Sequence, residues 1–191
     1  MNLLKLLPLF AFLIYGHFYC VDHVFIPAGT RTLGKILDTH PDMFRQSLEE
    51  RIFGPLYIIR AAVPKMPKTG SITLVSSINA DRPMPGRAMA TVAATAARTL
   101  THCLALELAP IRVNAVSLGW IDTPLLRELL KDKYDSIIPF VSEQIPVQRI
   151  GKPEEVAEVV IMLMSHGYIN GEILNLTGGE HITGREYIMN L

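Results

Sequence analysis

The side chains able to do chemistry in this sequence are thinly spread, and their spacing limits what each can do. Ser77 closes the apolar run Ser71-Ile-Thr-Leu-Val-Ser-Ser77, where a hydroxyl can cap the turn that follows a strand. Thr123 stands before Pro124, the pattern of a helix N-cap with proline at the first helical position. Cys20 and Cys103 make neither a disulfide framework nor a paired-cysteine zinc motif, and Cys103 lies in an Ala/Leu-rich stretch that suits a small apolar residue. The six histidines never show the short regular spacing of a metal site, so no metal is expected.

Eighteen Lys and Arg balance 18 Asp and Glu, which leaves no general field to attract a polyanion and sets nucleic-acid binding aside. With 49% hydrophobic and 19% charged residues, the 191-residue chain has the make-up of one folded domain, not of a disordered segment. Residues 1–20 stand apart from the domain expected over 21–191. Lys5 followed by LLPLFAFLIYGHFYC has the charge-then-apolar order of a secretory signal or short membrane anchor. Against that, the uncharged run 6–16 is about half of what spans a bilayer as a helix. Pro8 interrupts it, and a strand-like run begins at Val21 with no polar linker. A packed or aberrant N-terminal segment is the competing reading. A cytoplasmic location is expected, with membrane anchoring through residues 1–20 as the alternative.

From residue 21 onward, short apolar runs alternate with helical segments. Residues 21–26 read as a strand closed by Pro27-Ala28-Gly29. Thr39, ahead of Pro41 and Asp42, marks a helix start. Phe44, Leu48, Ile52, Leu56, Ile59, Val63 and Met66 then recur at helical spacing, with a bend expected at Gly54-Pro55. Residues 71–75 are the next strand, 81–86 a Pro/Gly loop, 88–109 a long Ala-rich helix, and 111–116 a strand ending at Leu118-Gly119. Residues 125–148 fit one or two short amphipathic helices, 153–164 a further helix, and 172–177 a last strand before Gly178-Gly179. This alternation, with connections of crossover length, means an α/β fold whose parallel sheet is covered on both faces.

The run from His102 to Thr123, HCLALELAPIRVNAVSLGWIDT, resembles the short-chain dehydrogenase/reductase family, which typically shows an ALA-ELAP-IRVN-V-PG-I-T pattern at this point. Four more segments agree in order. VDHVFIPAG resembles the strand ending in the family's Asn-Asn-Ala-Gly motif, and SITLVSS the strand ending at its catalytic Ser. GKPEEVAEVV resembles a late helix and GEILNLTGG the last strand, and together the segments cover about 170 residues. The resemblance implies a Rossmann-type three-layer parallel sheet. By ancestry it implies an oxidoreductase that uses NAD or NADP on a small-molecule alcohol or carbonyl.

In that family a Tyr supplies the proton that accompanies hydride transfer, and a Lys four residues later, on the same helix face, lowers its pKa. A Ser holds the substrate oxygen, and an Asn on the preceding long helix completes the tetrad. In register, Ser77 is retained, while the Tyr position falls on Ala90, the Lys position on Ala94 and the Asn position on Arg51. Residues 78–97 contain neither Tyr nor Lys. Two alanines can neither donate nor relay a proton, so the resemblance implies a weak or inactive enzyme. The RP-PG loop and the Ala-rich helix also resemble atypical branches of the family.

On the cofactor side, Gly119, Ile121 and Thr123 match the family loop that holds the nicotinamide carboxamide, with Leu118 in place of the family's Pro. Ala28 and Gly29 match the end of the Asn-Asn-Ala-Gly motif, Ile26-Pro27 replacing both Asn. A strand terminus with an N-cap, or a tight turn, satisfies the same spacings without a ligand. The family's Gly-rich turn against the diphosphate has no counterpart before Val21, so a sheet lacking the N-terminal strands and that turn is expected. The strand at Val21 would then expose an edge for residues 3–15 or another chain to cover, unless the natural start lies upstream. Arg51, Arg82 and Arg87 would lie near the catalytic pocket, as a repurposed anion site or as ordinary surface arginines. Trp120 would line that pocket or pack under residues 125–148. The alanines at 88, 90, 93, 94, 96 and 97 allow close helix approach. In the family two long helices, here 42–66 and 88–109, commonly form a four-helix dimer interface, so a homo-oligomer is expected. The competing function class is a non-catalytic family member that serves as a dimerisation or binding module.

Overall fold

The computed structural model describes residues 20–27 and 32–183. Four strands, β1 (His23–Ile26), β2 (Ser71–Ser77), β3 (Arg112–Leu118) and β4 (Ile173–Leu176), form one sheet in the order β1-β2-β3-β4. All three pairings are parallel, with Phe25 opposite Thr73, Leu74 opposite Ala115 and Leu118 opposite Leu176. Strand side chains alternate between faces. Val24, Ile26, Ile72, Leu74, Val113 and Ala115 therefore enter one layer, and Phe25, Val75, Val116 and Leu118 the other. The strands read as continuous apolar runs because both faces are covered.

The first layer holds α1 (Pro41–Leu48), α2 (Gly54–Ala62) and α3 (Ala88–Glu107); Ile59, Leu104 and Ala105 meet the sheet there. After β3 come α4 (Pro124–Leu130) and α5 (Tyr134–Gln144), so the amphipathic region is two helices. On the opposite face lies α6 (Pro153–Ser165), which buries Val156, Val160 and Leu163. This is the three-layer α/β arrangement of the Rossmann type.

Two local features differ from the sequence expectation. The cap of α1 is His40, whose ring accepts from the Asp42 N–H at 3.3 Å, because the Thr39 hydroxyl is spent on the Lys35 carbonyl at 2.8 Å. The bend expected at Gly54-Pro55 is a π-helical turn, Glu49–Phe53, just before it, and Gly54 N–H donates to Glu49 O. Pro55 has no N–H to continue the ladder, and the widened turn absorbs that loss before the helix resumes.

The small residues of α3 act inside the chain. Ala90, Ala93, Ala94 and Ala97 are buried, and α3 comes near enough to β2 for the Ser76 hydroxyl to donate to Ala94 O at 2.9 Å. The motif that carried the family resemblance is also structural. Arg112 donates to the carbonyls of Leu163 and Met164 at 2.7 and 2.8 Å, satisfying the open end of α6. Asn114 donates to Ile169 O and accepts from Glu172 N–H, anchoring the approach to β4. Of the expected segment 1–20, all but Cys20 lies outside the described residues. Among the described residues, no helix is long and apolar enough to cross a membrane and no group of side chains could hold a metal ion.

Candidate functional site

A cleft of about 420 Å³ opens at the carboxyl ends of the strands, where parallel α/β sheets characteristically receive ligands. Phe25, Val75, Met84, Trp120 and Leu125 supply apolar walls; Ser77, Asn79, Arg51, Arg82, Arg87 and Glu180 supply the polar lining.

Ser77 lies where β2 gives way to a single 3-10 turn, Ile78–Ala80. Its Oγ accepts from Asn79 N–H at 3.3 Å and from Asn79 Nδ2 at 3.0 Å, so it does cap the turn. A hydroxyl that accepts in this way keeps its own proton to donate, and Ser77 lines the cleft. Asn79 in turn accepts at Oδ1 from Arg87 Nη1 at 3.4 Å. The Arg87 guanidinium lies over the Trp120 ring, 6.0 Å from its centroid, and the residue is only 7% exposed. Burial pulls the Arg87 pKa below its ordinary value, opposed by the nearby Glu180 carboxylate. Arg82 Nη1 donates to Glu180 O at 3.0 Å and to Thr183 Oγ1 at 2.7 Å, fastening the 78–87 loop to the segment after β4.

Behind this loop, Arg98 forks onto the Asp81 carboxylate and also donates to Ser76 Oγ at 3.3 Å and Ser117 Oγ at 2.8 Å. One guanidinium thus joins β2, β3 and the loop that carries Asn79 and Arg87.

The expected nicotinamide loop forms the neighbouring wall. Gly119 is needed for packing: a Cβ there would lie 3.0 Å from both Thr177 Cα and Glu180 Oε2. Its N–H donates to Leu176 O at 3.0 Å. Thr123 Oγ1 accepts from Leu126 N–H at 3.3 Å and caps α4. Ile121 bridges Gly151 and also lines the cleft. Ile121 offers an apolar contact to a ring and the Thr123 hydroxyl, which only accepts, keeps a proton for a ligand, while the Gly119 N–H is engaged within the fold. Ala28 and Gly29 lie outside the described residues. Ala90 and Ala94 sit on the buried face of α3, with neither among the cleft's lining.

The structure brings together Ser77, Gly119, Ile121, Thr123 and all three arginines singled out in the sequence, and Trp120 both lines the cleft and packs on α4 and α5. Sequence reasoning missed Asn79, Glu180 and Arg98. Asn79 had a usable signal, since it sits two residues after a strand-ending Ser; Glu180 and Arg98 had none, their partners being distant in sequence.

Comparison with known proteins agrees with this fold. A family model described as enoyl-(acyl carrier protein) reductase matches residues 13–181. The human dehydrogenase/reductase SDR family member 4 is 38% identical over 152 residues, 76% of this chain and 54% of that protein. The chain thus spans about half the length of the curated relatives it matches. Aldohexose dehydrogenase from Thermoplasma acidophilum superimposes with a TM-score of 0.85 at 30% identity, covering 95% of this chain and 76% of that one. A small-chain dehydrogenase crystallised with NADPH shares the fold, with a TM-score of 0.82 at 24% identity, over 86% of this chain and 75% of that one. The chain belongs to the short-chain dehydrogenase/reductase family of oxidoreductases.

Proposed function

We propose that this chain derives from an NAD- or NADP-dependent oxidoreductase of alcohols and carbonyls and is itself weak or inactive in that reaction. The observation that carries this reading is the cleft's chemistry. Ser77 keeps a proton to offer a substrate oxygen, while the positions from which the family donates and relays a proton are the buried Ala90 and Ala94. A nicotinamide ring held against Gly119, Ile121 and Thr123 would supply a hydride. Ser77 would then orient and polarise the oxygen, but at neutral pH a hydroxyl gives up its proton poorly. Loss of general acid catalysis costs about 10²–10⁴-fold in rate.

The test is to titrate purified protein with NADPH and NADH, following cofactor fluorescence, and to assay a panel of ketones and aldehydes. Turnover no higher than about 0.1 s⁻¹, or none, is expected, a typical enzyme value of about 10 s⁻¹ lowered by that factor. Turnover in the ordinary enzyme range of about 1–10³ s⁻¹ would overturn the reading.

The non-catalytic alternative draws support from one feature of the surface. Phe53 and Tyr57, in the 42–66 segment, are 45% and 58% exposed, and Val92 on α3 is 50% exposed. These apolar side chains fit a homo-oligomer built through the long helices at 42–66 and 88–109. Light scattering tests this, and a monodisperse monomer would refute it.

A further inference from the structure

We propose that the cleft receives a small carboxylate with an apolar body, its head group held by the Arg87 guanidinium. This rests on the cleft being the ligand site of the proposed function and adds the class of molecule that enters it. A guanidinium carries five N–H donors, and among the described residues Arg87 uses them in one hydrogen bond, the 3.4 Å contact to Asn79. No described carboxylate forms an ion pair with it, although it is more than nine-tenths buried. A buried cation is costly unless it is paired, and the fork of Arg matches a carboxylate bidentately.

The surroundings narrow the choice. Among the described residues the charged lining is Arg51, Arg82 and Arg87 together with Glu180. Glu180 beside Arg87 already supplies part of that guanidinium's countercharge, which favours a monoanion over a doubly charged phosphate. Trp120 lies against the guanidinium, and Phe25, Met84 and Leu125 add further apolar lining to the same cleft, surfaces that accept hydrocarbon. Asn79 bonds both Arg87 and Ser77, so the carboxylate would be seated near the Ser77 hydroxyl.

Trp120 is the chain's single tryptophan and lies under Arg87, so its emission reports on this site directly. The experiment titrates the protein, without nucleotide, with hexanoate, with the neutral isostere hexanamide, and with hexyl phosphate. Hexanoate should give a saturable change in Trp120 emission and bind at least tenfold more tightly than hexanamide. In Arg87→Gln, read by isothermal titration calorimetry because the Trp120 environment itself changes, hexanoate should weaken at least tenfold and lose its advantage over hexanamide. Arg87→Lys, which keeps the charge but not the fork, should fall between.

No saturable response to hexanoate, equal affinity for hexanoate and hexanamide, or an Arg87→Gln variant that binds hexanoate unchanged would overturn the proposal. Hexyl phosphate binding tenfold more tightly than hexanoate would overturn the choice of a monoanion. The wild-type comparison stands even where a variant fails to fold. Because no nucleotide is present, failure of hydride transfer leaves these outcomes untouched, and the two readings fail separately.

Discussion

Replacing Arg98 by Met tests whether one guanidinium holds the loop that builds the cleft. The variant keeps the apolar stem of the side chain and removes its fork onto Asp81 and its bonds to Ser76 and Ser117. Ser76 retains Ala94 O as an acceptor, whereas Ser117, which is fully buried, loses its bond from Arg98. Hydrogen bonds involving a charged group contribute roughly 1.5–3 kcal/mol each when buried, and exposed ion pairs well under 1. The Arg98 and Asp81 side chains are 20% and 32% exposed, between those limits. The expected loss for Arg98→Met is therefore about 2–3 kcal/mol. For a chain of this size that lowers the melting temperature by about 4–12 °C.

Asp81→Asn leaves both serine bonds in place and should cost less, about 1 kcal/mol. The ordering of the two variants matters more than either value. Urea midpoints at constant m-value, with thermal scans in parallel, provide the measurement. The loop carries Asn79 and Arg87, so Arg98→Met should also weaken hexanoate binding at the cleft without touching the ligand. Equal losses for the two variants, or a loss below about 0.5 kcal/mol for Arg98→Met, would refute the reasoning, since either would mean the serine bonds contribute nothing.

Other expectations follow from single contacts. Gly119→Ala drives a methyl to 3.0 Å from Thr177 Cα and Glu180 Oε2, and should cost about 1–3 kcal/mol by overpacking, read from denaturant midpoints. Thr123→Ala removes the cap of α4 and should cost about 1 kcal/mol, while Thr123→Ser should restore most of it in the same assay. Arg149 forks onto Glu155, which also accepts from Lys152 N–H, and the Glu155 carboxyl is held down at about 2 against an ordinary 4.5. Its folded pKa is the lower one, so its contribution is complete above about pH 4.5 and disappears as pH falls towards about 2. Stability should therefore rise with pH across that window, and Glu155→Gln should flatten the rise in urea midpoints; an unchanged profile would remove this pair from the account. Both side chains are largely exposed, so added salt should shrink the effect.

Much of the architecture was legible in the residue pattern because it depends on local rules. Apolar runs bounded by Gly and Pro became the strands, helical spacing from Phe44 onward became α1 and α2, and Thr123-Pro124 became a capped helix. Ser77 was open to two readings, and its bonds to Asn79 establish the turn cap while leaving its proton for a ligand. The α1 cap was misplaced by one residue, since the Thr39 hydroxyl had a competing acceptor four residues back that no pattern rule ranks.

The chain's order of residue types thus determined a parallel α/β sheet and the family to which it belongs. Tertiary structure alone decided which polar groups meet at the end of the sheet. Arg82 reaches Glu180 across 98 positions, and Arg98 joins two strands and a loop. Among the described residues, Arg87 is left buried over Trp120 with most of its fork uncommitted. Backbone propensity and hydrophobic period act over a few residues, so a sequence displays them. The pairing of distant charges depends on how layers stack and what burial costs, and those quantities exist only once the chain has closed on itself.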